Sequence, residues 1–179
     1  MKLLKLFVAA STLLFCTAQF VVATPAAAQS EASSSIEDKQ RFVSVVRNLE
    51  QSPLNPNLRA ERSWAIQWLI KAPDISVKAC LTPLDGVTKD RFAHSSELVV
   101  QYMLGMAAFI IENPDKVSDI DGQQLAGVES ALRAYQSMRA VRAELTSPAM
   151  ERQLARQKAG ELPQFSQQAL KECLAQDGG

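Results

Sequence analysis

Apolar residues along this chain recur at helical spacing, in blocks separated by proline- and glycine-bearing loops. Phe42, Val43, Val45, Val46 and Leu49 make one apolar side of a helix that runs to about Glu50, and Ser34 with Glu37 three residues on has the form of a capping box at its start. Ser52-Pro53-Leu54-Asn55-Pro56 interrupts the pattern. Asn55 can cap the next helix, with Pro56 at the first position, where a missing N–H costs nothing. That helix carries Leu58, Trp64, Ala65, Trp68 and Leu69 and stops at Ala72-Pro73. Ile75, Val77, Ala79 and Leu81 then alternate with Ser76, Lys78, Cys80 and Thr82 in a two-residue period. With no clear partner strand elsewhere, residues 73–94 are expected to be irregular or helical, anchored by Cys80.

Ser95 or Ser96 opens the most hydrophobic block, Glu97 to about Glu112, which is apolar on nearly every side. Such a helix sits in a bundle or in a membrane. Its uncharged stretch from Leu98 to Ile111 reaches about 21 Å, short of the roughly 30 Å of a bilayer core, so it predicts a central core helix. Asn113-Pro114 ends it. Asp119 or Asp121 precedes a helix from about Gln123 to Leu145, with Leu125, Val128, Leu132, Tyr135 and Met138 on one face. Ser147-Pro148 resets the chain for a short basic helix ending near Gly160, and Pro163 opens the last, where Phe165, Ala169 and Cys173 follow at four-residue steps. The expectation is an all-α fold: one helical domain over residues 36–179, a compact bundle of five to six helices around the central one at about 97–112.

The first 28 residues change what is counted. A basic start (Lys2, Lys5), an uncharged apolar run from Leu6 to Ala23, and small residues at Ala26 and Ala28 are the parts of a secretory signal peptide cleaved between Ala28 and Gln29. Residues 29–35, rich in Ser, Ala and Glu, read as a mobile arm. Cleavage predicts a periplasmic or secreted protein with no stable membrane insertion. It also turns a balance of 19 basic and 19 acidic side chains into a net charge of −2, and removes Cys16. Two cysteines then remain, Cys80 and Cys173, and an even count in an oxidising compartment reads as a disulfide, with two unpaired buried thiols as the alternative. The spacing suits neither thioredoxin-like redox chemistry nor zinc.

The chemistry on offer is sparse. A chain without basic excess is not a dedicated nucleic-acid binder, and a single histidine rules out any site needing two. His94 with Glu97 could supply two ligands from one helix start, but nothing at motif spacing completes a metal set, so neither a metal nor a cofactor is expected. Glu112, Asp115, Asp119 and Asp121 cluster, and two acids from different helices can meet in a hydrolase cleft without any sequence motif. Trp64 and Trp68, one turn apart, suit either core packing or the lining of a ligand groove. The strongest pattern is in charge: acids Asp115, Asp119 and Asp121 precede bases Arg133, Arg139 and Arg142. That order follows the helix macrodipole, and it also makes a bipolar surface able to orient a protein partner.

Two resemblances add to this reading. The run Ile111-Glu112-Asn113-Pro114-Asp115-Lys116, followed by Gln124-Leu125-Ala126-Gly127-Val128-Glu129-Ser130-Ala131-Leu132-Arg133-Ala134-Tyr135, resembles a group of uncharacterised secreted bacterial proteins. Cys80-Leu81, Pro83, Gly86-Val87-Thr88 and the helix ending at Asn113-Pro114 are similar to the central stretch of the Tai-type immunity proteins, though this chain lacks the cysteine that family has just after the following helix. The second resemblance implies a small periplasmic helical protein that neutralises a toxin. The expectation is therefore a non-enzymatic helical protein that acts by binding another protein. A carrier or sensor of a small apolar ligand is the alternative, and a carboxylate-based hydrolase the third.

Overall fold

The computed structural model describes residues 33–177; the expected signal peptide and its cleavage point lie outside them. Six helices follow one another: α1 (Ile36–Gln51), α2 (Arg59–Lys71), α3 (Ser95–Glu112), α4 (Ile120–Val141), α5 (Pro148–Ala159) and α6 (Leu162–Asp177). Single 3-10 turns lie at Pro56–Leu58, Thr82–Leu84 and Pro114–Lys116, and no strand occurs among the described residues. The fold is all-α.

The starts of α1, α4 and α5 sit where short polar side chains take up the first N–H groups of the helix. Asn55 accepts from the Asn57 N–H, but the turn it caps is 3-10 and runs into α2 only at Arg59. Asp119 accepts from Gly122 and Ser147 from Met150, and Gly160 closes α5 in the left-handed region at φ 75°. The first cap lies one residue later than the capping-box pattern placed it. Ser35 accepts from the Asp38 N–H at 3.0 Å, because Ser34 is already engaged: its N–H and hydroxyl donate to Asp74 at 3.1 and 2.7 Å. Ser33 donates to the same carboxylate, so this end of the expected mobile arm is held, while residues 29–32 lie outside the described residues. Helix α4 begins at Ile120 and ends at Val141 rather than running to Leu145, because the backbone turns extended at Arg142.

Helices α3 and α4 form an antiparallel pair at the centre, with Phe109 beside Gly122, Gly105 beside Ala126 and Ser130, and Tyr102 beside Gly127. One side of α3 meets α1 and α2 in a cluster around Phe42, Val46, Leu49, Ala65, Leu104 and Ala108. Its other side joins α4, α5 and the 84–92 loop in a cluster around Leu84, Tyr102, Met106, Leu132, Tyr135 and Met150. Membership in two cores is why α3 is apolar all round. The stretch 73–94 is irregular, with one 3-10 turn, and is pinned from inside: the buried Tyr102 hydroxyl donates to the Cys80 carbonyl at 2.6 Å, and the Gln124 amide donates to the Lys78 carbonyl at 2.5 Å. Cys80 is disulfide-bonded to Cys173 of α6, with the two Cα atoms 6.2 Å apart.

The α3–α4 approach depends on two glycines. A Cβ on Gly127 would lie 2.7 Å from both Met106 Cγ and Tyr102 Cδ2, and 2.8 Å from the Tyr102 carbonyl oxygen. A Cβ on Gly105 would collide with the Ser130 side chain. Backbone cannot yield as a side-chain tip can, so Gly127→Ala must push the helices apart. The expected cost is about 2–3 kcal/mol, at the upper end for over-packing. Urea unfolding should show a lower midpoint with an unchanged slope.

Candidate functional site

An apolar groove of about 630 Å³ is built where α2 ends and the chain doubles back along α3. Ile66, Leu69 and Ile70 of α2 form one wall, and Val100, Met103 and Leu104 of α3 the other. Ala72, Pro73, Ile75, Ser76 and Val77 close the end, so Ser76 is the one polar residue in the lining. The extended conformation at Ala72 (ψ 116°), imposed before Pro73, is what turns the chain across the groove mouth. Ile70, one of the lining residues, is 77% exposed to solvent.

Trp64 and Trp68 do not line this groove. They stack with centroids 6.2 Å apart on a different face of α2 and pack toward α1, Trp68 lying 4.8 Å from the Phe42 ring and the Arg41 guanidinium covering Trp64 at 3.9 Å. Residues two apart on a helix point about 200° away from each other, so Ile66 and Ile70 face opposite the tryptophan stripe. The sequence signal for the groove was present in that second pair of apolar residues at i and i+4, and in the alternation of Ile75 and Val77 behind it. The more conspicuous tryptophans masked it.

The charged candidates disperse. Asp119 caps α4, Asp121 accepts from Gln167 of α6 at 2.8 Å, and Asp115 is exposed in the 3-10 turn before α4. Arg139 pairs with Glu151 at 2.7 Å, whereas Arg142 lies exposed beyond the other end of α4. Along the helix axis Asp121 and Arg139 are about 27 Å apart, so the two charge groups mark opposite ends of α4 rather than one patch. Arg133 is turned onto Glu50, a residue the sequence reading did not single out.

Glu50 is the centre of a half-enclosed ionic cluster. Its side chain is buried between α1 and α4; Arg133 Nε and Nη2 donate to it at 2.9 Å each, Arg47 at 2.7 Å and the Ser130 hydroxyl at 2.6 Å. Gln101 donates to Ser130 at 2.9 Å, and Arg47 also reaches Glu112 at 2.7 Å. Burial alone raises the Glu50 pKa, but the hydrogen bonds from Arg133 and Ser130 and the charges of Arg133 and Arg47 outweigh it and hold the carboxyl below its ordinary value. A carboxylate so clamped is a poor base for the adjacent Ser130 hydroxyl. The cluster ties three helices together.

His94 precedes α3, its ring edge-on to Phe92 and its Nδ1 3.5 Å from Glu97. Among the described residues, no three His, Cys, Asp or Glu side chains converge as a metal set would require, and no helix is long and apolar enough to cross a membrane. Comparison with family models, with curated proteins and with solved structures finds no match for this chain.

Proposed function

We propose that this is a non-enzymatic binding protein of the periplasm or cell exterior, and that the groove between α2 and α3 takes an apolar segment of another protein. The observation that carries the reading is the lining of the groove: ten of its eleven residues are apolar, and one of them, Ile70, is exposed to solvent. Burying an exposed side chain of that kind contributes about 1.5–3 kcal/mol, and an apolar groove between two helices is the kind of surface onto which an amphipathic helix lays its apolar face. The Cys80–Cys173 bond supports an oxidising compartment, and the basic-then-apolar first 28 residues support export to it. An inhibitor of the immunity type, as the 80–114 stretch suggests, is one binder of this class.

A second reading is favoured by the groove's volume, which falls within the roughly 300–1,000 Å³ typical of small-molecule sites. An apolar metabolite or acyl chain is the matching ligand. One experiment separates the two. The exported protein carrying a photo-crosslinker at Met103 is irradiated in cells, with and without Ile70→Asp. The protein reading expects one specific adduct that survives high salt and disappears in the Ile70→Asp variant, which leaves the fold intact because Ile70 is exposed. An adduct set unaffected by Ile70→Asp, or none, overturns it. Native mass spectrometry showing a co-purified small apolar molecule, lost in the same variant, replaces it with the second reading. Tryptophan fluorescence is a poor reporter of either, since both indoles lie on the far side of α2 from the groove.

A further inference from the structure

A second, smaller cavity of about 190 Å³ lies where three helix ends meet, and its lining is cationic. Arg59 and Arg62 come from the start of α2, Arg142 from the end of α4, and His94 and Glu97 from the start of α3, with Pro53, Leu54, Asn55 and Pro56 as the remaining wall. We infer that this cavity is a binding site for a small phosphate-class oxyanion.

The rest of the molecule shows how this chain treats converging arginines. Arg152 and Arg156 share Asp85 at 2.7 and 2.9 Å, and Arg47 and Arg133 share Glu50 at 2.7 and 2.9 Å. Each time a carboxylate sits between the guanidiniums. In the small cavity, none of the three arginines is within ion-pair distance of an acid among the described residues. Glu97 is the lone carboxylate of the lining, and it is turned to the Ser96 hydroxyl at 3.0 Å and the His94 ring at 3.5 Å. Arg62 spends one donor on the Pro53 carbonyl at 2.6 Å and keeps the others. Three arginines against one carboxylate leave the lining an excess of two positive charges, which a phosphate dianion would match, and guanidinium forks suit its oxygens bidentately. The volume is below that of sites for larger organic ligands, so the occupant is a single phosphate group, either free or the headgroup of a larger molecule.

The test is calorimetric titration of the folded protein with inorganic phosphate at constant ionic strength. It should show one saturable site, weakened roughly tenfold by Arg59→Gln and by Arg142→Gln, each of which removes charge-assisted hydrogen bonds. Both residues are exposed, and circular dichroism checks that the fold is retained. Glu97→Gln should tighten the site, since it removes the competing carboxylate. Lys158→Gln, on the exposed face of α5, should leave it unchanged. Sedimentation with phosphatidylcholine vesicles, with and without phosphatidic acid, distinguishes the sources. Phosphatidic-acid-dependent binding that Arg142→Gln abolishes assigns a lipid headgroup, and phosphate binding without vesicle binding assigns the free anion. Absence of both kinds of binding, or affinities unchanged in both arginine variants, overturns the site.

Discussion

Replacing Glu50 by alanine is expected to lower the unfolding free energy by about 3 kcal/mol, the lower end for breaking a buried ion pair. The lower end applies because Arg47 and Arg133 keep 36% and 43% of their side-chain surface and can turn to water, whereas Glu50 keeps 6%. What cannot turn away is the buried pair behind them: Ser130 loses its acceptor, and the Gln101 amide beside it loses the order of that chain of bonds. Replacing Glu50 and Arg133 together by leucine should recover only part of the loss, since apolar groups of similar volume can stand in for the ion pair but leave the Ser130 hydroxyl without its acceptor. A double variant no more stable than the single one would show that the hydrogen bonds, not the unpaired charge, carry the effect. The same site sets a pH dependence. The folded-state pKa of Glu50 lies below its ordinary value of 4.5, so its contribution is complete above that pH and is lost as pH falls through the lower, folded value. Asp74 and Asp85, each held down by hydrogen bonds that outweigh the effect of burial, act in the same direction. Stability should therefore fall on the acid side, and Glu50→Gln should flatten that limb in urea titrations carried out from neutral pH to below pH 4.

Removing the disulfide is expected to cost more. A bond between residues 93 apart removes about 4–5 kcal/mol of chain entropy from the unfolded state. The loss should appear in a particular order, because α6 has little else of its own. Leu162, Ser166, Ala169 and Leu170 are its buried residues, and the Arg156 guanidinium over the Phe165 ring at 3.7 Å is a contact with its neighbour α5. In the Cys80→Ala, Cys173→Ala protein, hydrogen exchange in α6 should rise while the α1–α2 packing reported by Trp64 and Trp68 stays native. A single transition in which α6 and both tryptophans are released together would mean that the bond holds the whole bundle. Two reactive thiols in the denatured, unreduced protein would mean that no bond forms.

The helices themselves were legible because their cause is local. Proline and short polar side chains punctuate them, and the three- and four-residue apolar steps of α1 and α4 need no partner to be recognised. The central role of α3 was legible for the same reason: a helix apolar on every side has nowhere to go but between others. Near-misses came where a competing contact was distant in sequence. Ser34 has the form of a cap, but Asp74, 40 residues away, claims both its N–H and its hydroxyl. Leu145 continues the α4 pattern, but the chain has already turned extended at Arg142.

Sequence by itself determined the all-α class, the order and rough limits of the six helices, and the two cysteines available to be joined. All of these follow from composition, periodicity and turn chemistry, which act within a few residues. Tertiary structure alone decided which side chains share a space. It put Trp64 and Trp68 against α1 and left Ile66 and Ile70 to line the groove, because the rotation of α2 about its axis is set by what α1 and α3 offer. It drew Arg133 to Glu50, 83 residues away, and separated it from Arg142, which it set beside Arg59 and Arg62. Burial and electrostatics act over a few ångströms of space, and no spacing along the chain encodes such distances.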